Sequence, residues 1–341
     1  MFSILEMFKI GVGPSSSHTV GPMVAACKFV ESLEHAGTLG RVSRVRTVLY
    51  GSLALTGLGH GTDRATVAGL EGNMPQTSHT DHVNIIRHEC ESSGELLLAG
   101  KHRIDFDYAH DVVMDVWHRL AAHPNGMRFQ AFDQQNNLVD EQVWYSIGGG
   151  FVRQGNAEDL MIGIHERPPV GTSFADQQSD SSLDDGSDVP YPFTSCDELI
   201  ALCEKHHMSI ADIVWANETA MQSAVQVRSE LDNVWRVMRR CVQHGCHTSQ
   251  TVLPGGLNAP RRHRKCMQGL PRTVMCLRET RNARMRCSNR RMRHGWICSL
   301  WRCRRKTPAV GESSPHRPTV LQESFRQCFT ITGISWTTPM N

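Results

Sequence analysis

The sequence predicts an α/β (α+β) first domain, then the start of an all-α domain, and then a disordered basic tail. Three observations predict this order. Helical and strand-like patterns alternate up to Gly150, residues 175–188 are polar and acidic, and three helical patterns in succession follow them. We therefore divide the chain into a first domain over 1–155, a linker over 156–190, a helical segment over 191–262 and a tail over 263–341.

Each element of the first domain has its own pattern. Residues 20–35 place apolar side chains on one helical face, and residues 41–54 are rich in β-branched residues, which predicts a strand. Residues 57–61 contain three glycines and predict a tight loop, after which Asp63 is expected to cap a helix over 64–72. The remaining predicted elements are a helix over 82–90, strands over 96–99 and 103–106, and a hairpin of 127–132 with 138–145.

The predicted helices beyond the linker span 195–204, 210–221 and 225–242. Thr194 or Ser195 is expected to cap the first and Ser209 the second. Asn217 and Glu218 either face a functional site or belong to a solvated helix face. The glycines at 148–150 are expected to act as a hinge into the linker, because no Lys-Ser/Thr pair follows them as a phosphate-binding loop requires.

Composition excludes two classes of protein. No apolar run among the 341 residues approaches the ~20 needed to span a membrane, and Glu6 and Lys9 interrupt the first ten residues in a way that a signal peptide does not. The 12 cysteines lack the spacing of secreted disulfide frameworks. We therefore expect a cytoplasmic protein.

The most distinctive stretch is K-I-G-V-G-P-S-S-S-H-T-V-G-P at 9–22. Ser17 or Thr19 can cap the helix that follows, which brings free amides, hydroxyls and the His18 imidazole together in a way that suits a carboxylate. The alternative is an N-cap serine cluster with a solvated histidine. For His60, the alternative to a site residue is an ordinary turn histidine in Gly-His-Gly.

Several motifs resemble those of the iron–sulfur L-serine dehydratases, which are L-serine ammonia-lyases. The matching segments span residues 1 to about 262 and lie at 8–21, 50–57, 59–63, 145–151, 189–193 and 252–257. The resemblance implies conversion of L-serine to pyruvate and ammonia, with the helical segment opening a second, catalytic domain. It also implies that a [4Fe–4S] cluster, held by three cysteines, acts as a Lewis acid on the substrate.

The resemblance assigns roles to residues of the first domain. It implies that His18 or His60 is the base or a proton relay, and that Ser15, Ser16, Ser17 and Thr62 contact the carboxylate or amino group of L-serine. It implies no metal ligand here, because we find no counterparts of the cluster cysteines.

The tail differs abruptly from the rest of the chain, since residues 263–341 carry 16 Lys and Arg against 3 Asp and Glu and hold six cysteines. When the codons of residues 310–326 are read in a frame shifted by a single nucleotide, they can encode G-R-V-V-T-A-P-T-N-G-A-A-G. This sequence resembles a segment of the family's catalytic domain. We therefore interpret the tail as out of frame after about residue 262. On this hypothesis the chain is a truncated, inactive family member.

Two other functions remain open. The chain is either a non-catalytic α/β module that binds a small molecule or, through its tail, an Arg-rich nucleic-acid binder. Pyridoxal-phosphate chemistry is disfavoured, because no Ser-x-Lys accompanies a Gly-rich phosphate loop. Our preferred interpretation is an L-serine-binding protein with no nucleic-acid or membrane partner, and it leaves a homodimer open.

Overall fold

The computed structural model describes residues 3–174, 189–252, 260–261 and 334–336, the last of these as backbone only. The side chains of residues 246 and 247 are also outside the description. The acidic stretch 175–188 and the predicted tail, except for 334–336, lie outside the described residues. The predictions of a linker at 175–188 and of a disordered tail therefore stay predictions.

The first domain mixes helices with short strands, as predicted. Its helices are α1 (Ile4–Met7), α2 (Gly21–His35), α3 (Gly51–His60), α4 (Thr62–Leu70), α5 (Thr80–Ser93) and α6 (Tyr108–Asp111). Its strands are β1 (Phe8–Ile10), β2 (Arg44–Tyr50), β3 (Glu95–Leu98), β4 (His102–Asp105), β5 (Val112–Asp115), β6 (His118–Leu120), β7 (Gly126–Phe132), β8 (Leu138–Gly148), β9 (Phe151–Gln154) and β10 (Met161–Gly163). Ser16–Val20 forms a π-helical turn, and Leu39–Arg41 forms a 3₁₀ turn.

A five-stranded sheet in the order β5-β2-β7-β8-β9 organises the domain. Strand β2 runs parallel to β5 and antiparallel to β7, and β7 and β8 form the predicted hairpin. Strands β3 and β4 pair separately. Because β2 leads directly into α3, that helix starts at the carboxyl end of β2.

The two faces of the sheet carry different hydrophobic clusters, since successive side chains of a strand point to opposite faces. Leu49 of β2 joins the larger cluster under α2, where the rings of Phe29 and Phe129 stack with centroids 5.2 Å apart. Val48 joins a smaller cluster on the other face, which contains Tyr145. Helices therefore cover one face, while β6 and the loops near it cover the other.

The chain between β2 and α4 differs from the prediction. The expected strand over 41–54 ends at Tyr50, and the expected loop over 57–61 is the last part of helix α3 together with its cap, Gly61. Gly51, at φ 53°, allows the sharp change from strand to helix, and Gly61, at φ 63°, separates α3 from α4. Asp63 was predicted as the cap of the next helix, but Gly61 holds that position and Asp63 is buried in the first turn of α4.

The chain continues to pack against the first domain beyond residue 155. Strand β10 pairs with β6, and the ring of Phe174 meets that of Tyr145 edge-on, with centroids 4.9 Å apart. The glycines at 148–150 all have positive φ and form the turn between β8 and β9. The prediction that they form a hinge into the linker is therefore wrong, because a paired strand follows them.

The helical segment contains α7 (Cys196–His206), α8 (Ile210–Met221) and α9 (Ala224–His247). Ser195 caps α7 and Ser209 caps α8, both as predicted. A further short strand, β11 (Ile334–Trp336), pairs antiparallel with β1. Among the described residues, no helix has both the length and the apolar character needed to cross a membrane.

Candidate active site

The serine-rich stretch forms a capped π-helical turn that runs directly into α2. Ser15 is the cap, and its hydroxyl accepts a hydrogen bond from the His18 backbone amide at 3.1 Å. The prediction that Ser17 or Thr19 would be the cap is wrong, because Thr19 Oγ1 instead accepts from the Ser15 amide at 3.2 Å. The turn thereby brings the His18 side chain to Ser52 of α3.

Glycine is required where this turn joins α2. A Cβ atom on Gly21 would lie 2.1 Å from the hydroxyl oxygen of Ser146 in β8. Ser146 is completely buried, and its hydroxyl has no hydrogen-bond partner among the described residues. The serine-rich turn is therefore set directly against the sheet.

The His18 imidazole lies between two hydroxyls. Its Nδ1 is 2.9 Å from Ser17 Oγ, and its Nε2 is 3.0 Å from Ser52 Oγ at the start of α3. Burial is the main cause that lowers the pKa of His18 from 6.5 to about 4, and the nearby His60 lowers it further. His18 is therefore neutral at physiological pH and can accept a proton.

His60 lies beside His18 at the end of α3, and the two ring centroids are 4.9 Å apart. The Nδ1 of His60 is 2.9 Å from the carbonyl oxygen of Thr56, which can only accept, so Nδ1 carries the proton in the neutral ring. The Thr19 hydroxyl donates to the His60 carbonyl oxygen at 2.8 Å. The serine-rich turn and the end of α3 therefore hold two imidazoles together.

A third histidine, His123, was not predicted. It is half-buried beside the rings of Tyr145 and Phe174, and its Nδ1 accepts a hydrogen bond from the Asn125 amide at 3.1 Å. Burial lowers the pKa of His123, and a charge on it would lower the pKa of His18. The sequence signal was His-Pro-Asn-Gly at 123–126, a polar turn before a strand.

The other predicted contacts separate into two groups. Ser15 and Ser17 are half-buried on the turn that carries His18, whereas Ser16 is buried. Thr62 is completely buried, and its hydroxyl has no partner among the described residues. Asp63 accepts a hydrogen bond from the Tyr108 hydroxyl at 3.0 Å, inside the domain. Ser15 and Ser17 are therefore the predicted contacts that share one turn with His18.

Lowering the pH is expected to destabilise the first domain between about pH 6.5 and about pH 4. In this range His18 binds a proton in the unfolded state but stays neutral in the folded state. Proton binding lowers the free energy of the unfolded state, so the stability present above pH 6.5 is lost as the pH falls. The pKa of His123 is also lowered by burial, so His123 adds to the loss of stability. Urea unfolding of the wild type and of His18→Asn at both ends of this range measures the effect. An equal fall in both proteins would mean that other groups take up the proton.

Comparison with known proteins shows what this chain is similar to. Residues 3–157 match the family model "Serine dehydratase beta chain". Similar proteins include an L-serine dehydratase of Streptomyces coelicolor (39% identical over 260 residues), one of Helicobacter pylori (38% over 262) and L-serine dehydratase TdcG of Escherichia coli (38% over 263). Most of the first domain is therefore similar to a serine dehydratase beta chain. The matches cover 76–77% of this chain but only 52–53% of each relative, so the chain spans about half the length of the L-serine dehydratases that it matches.

The described part of this chain does not fit the iron–sulfur cluster that the sequence resemblance implies. Its described residues contain no group of three or more His, Cys, Asp or Glu side chains that could hold a metal ion. Cys27 and Cys90 are buried thiols, and burial is the main cause that raises the pKa of each to about 12, so neither is the thiolate that a metal needs. We therefore derive no chemical step through a cluster.

Proposed function

We propose that the first domain is the substrate-holding part of an L-serine dehydratase, which converts L-serine to pyruvate and ammonia. The observation that carries this proposal is the contact between His18 and His60, two imidazoles 4.9 Å apart beside half-buried serines. The names of the relatives support L-serine as the substrate.

We assign the role of base to His60. The hydrogen bond of its Nδ1 to Thr56 leaves Nε2 with a free lone pair, whereas both nitrogens of His18 face hydroxyls. In the reaction, removal of the Cα proton and departure of hydroxide give aminoacrylate, which tautomerises to an imine. Water then hydrolyses the imine to pyruvate and ammonia. His18, neutral and fixed by Ser17 and Ser52, serves to place and relay the proton.

We assign the substrate carboxylate to the serine-rich turn. Ser15 and Ser17 present hydroxyls within 3.4 Å of each other, next to the His18 ring. The burial of Ser16 and Thr62 argues against direct contact of these two with substrate in this arrangement. This assignment narrows the contacts implied by the sequence to Ser15 and Ser17.

We also propose that the tail after about residue 262 is out of frame and that the chain, as it stands, does not turn over L-serine. Two observations support this proposal. The matches to relatives extend over 260–265 residues, the length of the chain up to that point, and the described cysteines do not fit a cluster.

Restoring the frame tests both proposals. We expect the present chain, after anaerobic iron and sulfide treatment, to form no pyruvate from L-serine. A gene corrected by a single nucleotide near codon 262 should give a brown protein that does. Pyruvate formed by the uncorrected chain would refute the frame-change hypothesis, and a corrected chain that carries a cluster but is inert towards L-serine would refute the assigned activity.

A non-catalytic module that binds a small molecule is the second candidate, favoured by the lack of a fit to a cluster. It predicts L-serine binding without turnover even after the frame is restored. We further propose a cytoplasmic location, which the free thiols among the described cysteines support.

A further inference from the structure

Two neighbouring polar side chains are buried in helix α8 of the helical segment. Asn217 is 0% exposed and Glu218 is 1% exposed. The alternative that these residues belong to a solvated helix face is therefore wrong, because both side chains are buried. A buried carboxylate is costly unless its oxygens are hydrogen-bonded, so its partners are informative.

Glu218 holds the beginning of the first domain. Its Oε2 accepts from the Ser3 hydroxyl at 2.7 Å, and its Oε1 accepts from the Ile4 amide at 2.5 Å. Ser3 also caps α1 by accepting from the Leu5 amide at 3.2 Å. The carboxylate therefore fixes both the backbone and the cap of α1.

Asn217 holds the chain at Tyr191, shortly before helix α7 begins. Its Oδ1 accepts from the Tyr191 amide at 2.9 Å, and its Nδ2 donates to the Tyr191 carbonyl oxygen at 2.8 Å. Adjacent residues of one helix thus hold two distant chain segments in register with the helical segment.

The path from Ser3 to the serine-rich turn is short and tied down along its length. The Lys9 ammonium lies over the Phe151 ring, 4.3 Å from the centroid. A Cβ atom on Gly11 would meet Pro75 at 3.0 Å, and Val12 is buried in the larger hydrophobic cluster. Contacts of the first domain therefore fix the chain between Ser3 and Ser15 at several points.

We propose that Glu218 is a positioning residue that fixes the serine-rich turn relative to the helical segment by holding Ser3 and Ile4. The importance of that turn for catalysis rests on the proposed function, but the coupling between Glu218 and the turn does not. The helical segment and the site then move as one unit.

Hydrogen exchange and histidine NMR on the full chain test this coupling. We expect Glu218→Gln and Ser3→Ala each to speed amide exchange over residues 8–20 about tenfold, as the loss of a hydrogen bond to a charged group implies. The titration midpoint of His18 should also move from about 4 towards 6.5 as its burial relaxes. Glu230→Gln, at an exposed position, is the matched control and should change neither the exchange rate over residues 8–20 nor the titration midpoint of His18.

The outcomes separate coupling from simple stabilisation. Faster exchange confined to α8, with residues 15–20 and His18 unchanged, would show that Glu218 only stabilises its own helix and would overturn the proposal. Unchanged exchange in both variants would also overturn it. If Glu218→Gln fails to fold, Ser3→Ala decides, because it keeps the carboxylate and its bond to Ile4. Neither hydrogen exchange nor the His18 titration depends on L-serine. A failure of the coupling can therefore be distinguished from a failure of the proposed activity.

Discussion

Replacing Gly69 with alanine is expected to destabilise the first domain by about 3 kcal/mol, the upper end of the usual cost of overpacking. Gly69 lies in α4 where it crosses α2, and its Cβ would lie 2.3 Å from the Met23 carbonyl oxygen and 2.7 Å from Ala26 Cβ. Backbone atoms of a buried helix cannot move aside as a flexible side chain can. Helix propensity alone predicts the opposite sign, a gain of about 1 kcal/mol.

Urea unfolding followed by circular dichroism measures this change. Gly40→Ala is the control, because no atom lies within 4 Å of its Cβ position, and we expect it to be nearly neutral. A Gly69→Ala protein as stable as the wild type would mean that α2 and α4 do not pack as closely as described.

Replacing His60 with asparagine in the frame-restored chain is expected to lower kcat for L-serine by ~10²–10⁴-fold, the usual contribution of a general base. Asparagine can keep a hydrogen bond to the Thr56 carbonyl oxygen but cannot take up a proton. KM should change much less, because Ser15 and Ser17 are untouched. The corresponding change at His18 should lower kcat and also disturb the turn.

Pyruvate formation assayed over a range of pH tests the role of His60. His88→Asn, an exposed histidine on α5, is the control and should keep full activity. Wild-type kcat in His60→Asn, with a cluster of normal absorbance, would exclude His60 as the base.

The sequence predicted the regular parts of the fold well. Helix α2, the hairpin of β7 and β8, and helix α8 with its Ser209 cap all follow from local periodicity and capping, which depend on neighbouring residues only. Helix α3 was missed because Gly57, Gly59 and Gly61 are typical loop signals. A Cβ at Gly57 would lie 2.5 Å from the end of the Met114 side chain and 3.3 Å from the Thr62 Cβ, so the space at this position depends on Met114, a residue far away in sequence.

The sequence predicted which residues belong to the candidate site but not how they are arranged in space. The motifs identified His18 and His60, and the structure brings their rings together. Local sequence gave no sign that Ser52 would hold His18, that His123 would lie nearby, or that Thr62 would be buried. Each of these facts depends on how α3 and the loop at 123–126 pack against the serine-rich turn.

We propose that His18 and His60 form one site for L-serine. Histidine ring NMR of the present chain during titration with L-serine tests this site directly, since no cluster is needed. A shared site predicts saturable shifts of the His18 and His60 signals together, weaker shifts with D-serine, and none at His88. Shifts in neither ring at saturating L-serine, or in one ring alone, would contradict the shared site.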